Sequence, residues 1–372
     1  FSTLLVNKSI NEIKARNIFG KVEYKMLPGT TEDMKILEVS IEERSTGEIM
    51  AGAGVGTDGT TFSFAISENN WLGRGLKLNT ALNLSREQIT GSFSILNPNY
   101  NYTDRSVNAG LSVVETDRTS TSGFKSSLTN INLGTGFEQY EDVYFTPDLS
   151  LSFEDVEVDS TATTSIKKME GNFINLDFGY GLTLDKRDQS FKPSEGYKVK
   201  FVQTLPLIFD SSSVYNSLNV KTYHDFSDDV IGSVKFLARS ITGLDDDVRL
   251  TNRLYLPRKT LRGFDVYKVG PKDGEDYIGG NFLAGLSAEA QLPNLLPEAY
   301  NTDVNVFIDA ANIWGVDYSS SANDGNKIRS SVGVGANVYS ALGPLSFILA
   351  RSLTKSATDE TQTFNFQLGT SF

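Results

Sequence analysis

Cysteine is absent from the 372-residue chain, histidine occurs once as His224, and tryptophan twice. Without cysteine there are no disulfide staples and no thiolate metal centres. A single histidine with no serine-rich nucleophile elbow supplies no catalytic triad, so His224 reads as a strand residue near an interface. Clustered basic charge is also missing. The net charge is −12, which excludes proteins that track nucleic-acid phosphates. No P-loop spacing occurs, so no nucleotide is expected to be bound or hydrolysed. Gly54, Gly56 and Gly59 do satisfy G-x-G-x-x-G, but that fingerprint needs a helix leaving it. Here TTFSFAIS follows, and the alternation of Phe62, Phe64 and Ile66 predicts a hairpin turn at Thr57 to Thr60. No catalytic residue, metal ligand or cofactor is expected.

Long apolar runs are scarce too, and apolar residues make up 39% of the chain. Ser330 to Ala350 carries no charge and matches a spanning helix in length, since a span needs about 20 residues. It alternates, however. Val332, Val334, Ala336 and Val338 share one parity, Ala341 to Pro344 interrupts, and Leu345, Phe347 and Leu349 share a parity again. Two strands around a turn are predicted. No signal peptide is present and Phe1 is not an initiator Met, so a mature fragment is expected.

Two kinds of pattern are present. In Val6 to Arg16, helical spacing links Val6, Ile10 and Ile13, with Asn7 or Ser9 as cap. Lys21 to Leu27 and Lys35 to Glu42 then form a hairpin around Pro28 to Asp33. A small α/β module over residues 1–47 is expected. From about Ile49 onward, period-2 alternation takes over. Leu76, Leu78, Leu82 and Leu84 alternate with Lys77, Asn79 and Asn83, and Ile174, Leu176, Phe178 and Tyr180 form a similar run. Phe (23 residues) and Tyr (15) far outnumber Trp, as suits strands that are apolar on one side. About 16 segments of roughly ten residues fit a transmembrane barrel better than a soluble sandwich or propeller, whose strands are shorter. The fold class is therefore all-β: a 16-stranded antiparallel transmembrane β-barrel over residues 48–372, preceded by a partial α/β module. Closure is required, because an open edge in lipid leaves backbone groups unpaired at several kcal/mol each.

One connection is too long for a hairpin loop, running from about Gly243 to Gly280, and such length is usually functional or disordered. It contains Leu261, Arg262, Gly263 and Phe264. In the following LSAEAQL, Leu286, Ala288, Ala290 and Leu292 share one face, which points Glu289 inward. In VNVFIDAANIW the apolar face of Val304, Val306, Ile308 and Ala310 points Asp309 inward. Two inward acids on successive strands invite a cation; the alternative is the acid and base of a hydrolase.

LRGF at 261–264, GGN at 279–281 and FIDAANIW at 307–314 resemble the signature loop and two strands of the outer-membrane insertase superfamily, whose members carry polypeptide-transport-associated (POTRA) domains. ENNWLGRG at 68–75, DKRD with PSEG at 185–196, and ALGPLSF at 341–347 resemble its periplasm-facing turns. The first forty-odd residues resemble the end of its last POTRA domain. The resemblance implies a loop folded back into the barrel, with Arg262 held by Glu289 and Asp309. The cysteine pair that some relatives carry in this loop is missing, so packing and charge must hold it. The resemblance further implies an outer-membrane location, client β-barrel proteins and membrane lipids as partners, and accessory lipoproteins.

In the last strand, Phe364, Phe366, Leu368 and Phe372 face outward, while Asn365, Gln367 and Gly369 face inward. This alternation with a terminal aromatic resembles the signal that such insertases recognise in clients. The first strand is poorer: Ala51, Ala53 and Val55 offer little area, and Gly52, Gly54 and Gly56 lower strand propensity. A weak lateral seam between first and last strands is expected, open to a client strand by β-augmentation. A sister assembly factor of the TamA type, a two-partner secretion pore and a passive porin remain as alternatives.

Overall fold

A computed structural model of the chain describes residues 3–15, 18–31, 34–57, 59–190, 192–210, 212–227, 229–293, 295–297, 300–317, 322, 326–340 and 343–369. Helix α1 (Thr3–Ala15) starts earlier than the spacing predicts, so Asn7 and Ser9 lie within it and neither caps it. Strands β1 (Phe19–Pro28) and β2 (Lys35–Glu43) then pair as a separate two-stranded sheet with Val22 opposite Ile41.

The next eleven strands leave this module and return to it in up-and-down order: β3 (Gly47–Gly56), β4 (Gly59–Trp71), β5 (Leu76–Leu84), β6 (Gln88–Asn97), β7 (Ser106–Arg118), β8 (Phe124–Tyr140), β9 (Val143–Val158), β10 (Gly171–Asp185), β11 (Gly196–Phe209), β12 (Ser213–Ser227) and β13 (Val230–Gly243). A two-residue ribbon, β14 (Lys272–Asp273) with β15 (Asp276–Tyr277), lies in the long loop. Five more strands complete the wall: β16 (Phe282–Leu292), β17 (Thr302–Trp314), β18 (Arg329–Ser340), β19 (Gly343–Thr354) and β20 (Phe364–Leu368). All neighbours are antiparallel and β20 meets β3, so sixteen strands close one barrel, as the alternation predicts.

Period 2 decides what each face meets. On β4 the outward Phe62, Phe64 and Ile66 are exposed, as are Val306 and Ile308 on β17 and Val332 and Val334 on β18. Large side chains exposed in every second position around a closed wall make a surface for lipid. Among the described residues no helix is long and apolar enough to cross a membrane. The turn after β3 is tighter than Thr57 to Thr60, since Gly56 already pairs with Gly59. Glycine suits Gly59, whose φ of +110° costs side-chain-bearing residues energy. Strands β7 to β13 are 13 to 17 residues long, well above the ten or so that a bilayer needs. They are therefore longer than the apolar band requires. Pro206, which cannot donate to the ladder, sits where the β10–β11 register shifts.

The far end is closed by loops. Within the barrel mouth, Val248, Leu254, Leu261, Phe264 and Val269 of the long loop pack on Leu237, Leu283 and Ile313 of the wall. A second cluster joins Phe124 at the start of β8 and Ile166 of the β9–β10 loop to Leu250 and Ile278 of the long loop. The long loop is thus built as a core element, with apolar anchors in place of disulfides.

Candidate functional site

The long loop turns inside the barrel at Leu261–Phe264. Leu261 and Phe264 are both 3% exposed and anchor the turn in the apolar cluster. Gly263 between them has φ +87°, and a Cβ there would lie 3.0 Å from the Ala350 Cβ of the wall. Only glycine meets both demands without strain.

These anchors aim Arg262 at β16 and β17. Its Nε donates to Asp309 Oδ2 at 2.8 Å and its Nη2 to Oδ1 at 2.7 Å, a bidentate pair. Nη1 donates to Glu289 Oε2 at 2.9 Å, and Nη2 also to Ser287 Oγ at 2.9 Å. The backbone N–H of Arg262 donates to Asp309 Oδ2 at 3.0 Å. The guanidinium lies 3.3 Å from the Phe307 ring centroid. Asp309 is fully buried and Arg262 nearly so, which makes the cluster strong only while every member is satisfied. A point-charge lysine could not fill this planar fork.

Sequence reasoning names Arg262, Glu289 and Asp309, and the structure brings them together. It does not name Ser287, Phe307 or Lys235, whose Nζ lies 3.3 Å from Glu289 Oε2. Period 2 offers the signal for two of them, because Ser287 shares the inward parity of Glu289 and Phe307 that of Asp309. Two of the three further buried arginines, with partners in loops, also escape it. Arg253 bonds Asp317 and donates to Asn281 Oδ1 at 3.1 Å. Arg329 grips Asp359 through Nε and Nη2 at 2.9 and 3.0 Å, both residues being 0 to 4% exposed. Their partners lie in distant loops, and no periodicity connects them.

The seam shows a different geometry. Among the described residues, β20 pairs with β3 only at Gln367↔Gly56 and Leu368↔Val55. By contrast β3 pairs with β4 along its whole length from Gly47 to Gly56. Around the β20–β3 pairs, Thr57 N–H donates to Phe366 O at 3.1 Å and Phe366 N–H to Thr57 Oγ1 at 2.9 Å. Glycine allows the close approach: a Cβ on Gly56 would stand 2.7 Å from Phe366 O, and one on Gly54 3.1 Å from Leu368 O. Gly369, at φ +115°, would clash with Ala53 O. Gly52 lies lower on β3, opposite Ser63 of β4. Phe364 and Phe366 stack with ring centroids 6.2 Å apart. Phe372 lies outside the described residues. On β12, His224 packs edge-on to Phe226.

The profile of the Omp85 superfamily domain matches residues 70–372. The outer membrane protein assembly factor BamA of Neorickettsia risticii is 29% identical over 347 residues, which is 91% of this chain and 46% of that protein. The chain thus spans about half the length of the curated relatives it matches. The crystal structure of Haemophilus ducreyi BamA lacking POTRA domains 1–3 superposes with a TM-score of 0.87 at 22% identity, covering 100% of this chain and 79% of that one. CdiB from Acinetobacter baumannii is less similar, with a TM-score of 0.62 at 13% identity over 97% of this chain and 67% of that one.

Proposed function

The chain belongs to the Omp85 superfamily, and from that premise we propose that it folds and inserts client β-barrel proteins into the outer membrane through the seam between β3 and β20. The observation that carries this reading is the seam itself, where among the described residues two paired positions join strands that elsewhere pair along their length. An edge of β3 freed from β20 would offer N–H and C=O groups to an incoming strand. A client strand satisfies them in lipid, where leaving them unmade costs several kcal/mol each. No nucleotide is required if the client's own folding drives the exchange. In this reading Arg262, fixed by Asp309 and Glu289, holds the long loop in the lumen as the rigid wall against which the seam moves. A loop packed in the barrel mouth also argues against a steady open pore.

In the same reading, residues 1–47 are the C-terminal part of a POTRA domain in the periplasm and residues 48–372 are the barrel. Accessory lipoproteins and outer-membrane lipids complete its partners. The test is a lock. Val55 and Leu368 are direct cross-strand partners, so Val55→Cys with Leu368→Cys can be oxidised to bridge the seam, and client insertion into liposomes followed before and after reduction. The oxidised form should be inactive and recover with reductant. Insertion at an unchanged rate by the bridged form would reject the seam mechanism.

A further inference from the structure

Behind the seam, on the lumen side, lies a cavity of about 860 Å³ that the insertion reading leaves without a role. One wall is the end of β3, Gly54 to Thr57, with Asn365 to Gln367 of β20; the opposite wall is the long loop, Tyr255 to Arg258 and Asp265 to Lys268. In a chain of net charge −12, this space is lined by four basic side chains, Arg86, Arg118, Arg258 and Lys268, against two acidic ones, Glu87 and Asp265. Lys268 is already paired, with Asp265 and Glu360. Arg118 is not. Its guanidinium packs against a perpendicular pair of tyrosines, 3.8 Å from the Tyr267 ring centroid and 4.8 Å from that of Tyr255. Its Nε is buried without a hydrogen-bond partner, its contact with the Tyr255 hydroxyl is neutral, and it forms no ion pair among the described residues. A stacked, partly desolvated guanidinium lacking its anion is a preorganised oxyanion receptor.

We propose that this cavity receives a carboxylate-bearing extended peptide, with Arg118 as its anion-binding group; the inference rests on the seam reading and names what the seam's inner side recognises. Two observations favour a peptide. The walls offer strand-end backbone and the carboxamides of Gln362, Asn365 and Gln367, which suit peptide groups, and the volume is that of a ligand site. The chain's own lead-in to β20 already behaves this way. Gln362 accepts from Arg258 Nη1 at 2.7 Å, and Glu360 accepts from Lys268 Nζ at 2.9 Å.

The test uses the full chain in detergent micelles and two labelled extended peptides, one with acidic residues and one with Asn and Gln in their place, read by fluorescence anisotropy. Neither membrane insertion nor seam opening in lipid is needed, so the outcome is separate from that of the seam lock. The acidic peptide should bind about tenfold more tightly, the size of one charge-assisted hydrogen bond. Arg118→Met should abolish that preference, and Arg118→Glu should invert it toward a lysine-bearing peptide. Should the variants not fold, the preference of the unmodified chain and its loss at high salt decide the matter alone. Equal binding of the two peptides, or a preference surviving Arg118→Met, would overturn the proposal. Competition by glycerophosphate as strong as by the acidic peptide would also overturn it, assigning the site to a phosphate headgroup.

Discussion

At the scale of single residues, the arginine of the inward turn is held by geometry more than by charge. Arg262 fills Asp309 bidentately, reaches Glu289 and Ser287, and lies on Phe307. Arg262→Lys keeps the charge but cannot make the parallel pair, which leaves part of the buried Asp309 carboxylate unsatisfied. Removing the cation altogether with Arg262→Met should cost about 3–5 kcal/mol, because the buried Asp309 loses its ion-pair partner and Glu289 keeps only Lys235. The ordered expectation is wild type above Lys above Met, both in client insertion and in resistance of the long loop to protease. A lysine variant with wild-type insertion would show that charge alone suffices. Gly263→Ala should act in the same direction from a different cause, since φ +87° and the Ala350 Cβ both oppose a methyl group.

At the scale of elements, the far-end loops form one coupled unit. The loop between β19 and β20 is pinned to the long loop by backbone bonds, Asp265 N–H to Glu360 O at 3.1 Å and Gln362 N–H to Gly263 O at 3.0 Å. It is pinned to the wall by the Arg329–Asp359 pair. Asp359→Asn should therefore loosen the start of β20 and raise amide exchange at Phe364 to Phe366 without touching Arg262. Unchanged exchange there would mean that the loop does not set the position of β20. Acid should act on the neighbouring loop contact. Burial pushes the Asp317 carboxyl up, but the Val248 N–H, the Arg253 guanidinium and the Asn281 amide outweigh it, so its pKa lies below the ordinary aspartate value. A depressed carboxyl pKa stabilises the fold above the unfolded value of about 3.9 and loses that contribution as pH falls through the lowered one. The protection of the Val248 amide, relative to its intrinsic exchange rate, should fall on acidification below about pH 4, and Asp317→Asn should flatten that profile. A profile identical in the Asn variant would place the acid response elsewhere.

Much of this element scale is legible in the sequence, and the limits have physical reasons. Period 2 reveals which face Glu289 and Asp309 occupy, because a strand has one geometry and one buried side. Strand length is less legible: β9 ends in Phe-Glu-Asp-Val-Glu-Val, where polar residues fall on both parities. Beyond the bilayer both faces can be wet, so alternation fades before the strand does. The Arg329–Asp359 pair joins the wall to a loop and the Arg253–Asp317 pair joins two loops, meetings that depend on the closed barrel and that no local pattern encodes.

For the whole molecule, stability is distributed unevenly around the barrel. Strands β7 to β13 are long, and β8 pairs with β7 and β9 over most of its 17 residues. On the opposite side β3, β5 and β6 have 9 or 10 residues, and the described part of β20 has five. Local opening draws on the elements with fewest ladder bonds and least packing, so the wall should unzip at the seam long before it melts. Hydrogen exchange in micelles should then be fastest along β3 and β20, intermediate in β5 and β6, and slowest in β8 to β10. The Val55–Leu368 bridge should slow the seam strands selectively. If β3 exchanged as slowly as β8 in the unbridged chain, closure would be uniform and a client strand would find no edge to join. If the gradient holds, the barrel combines a rigid wall, which carries the Arg262 anchor, with one labile edge, and strand exchange can proceed at that edge without loss of the fold.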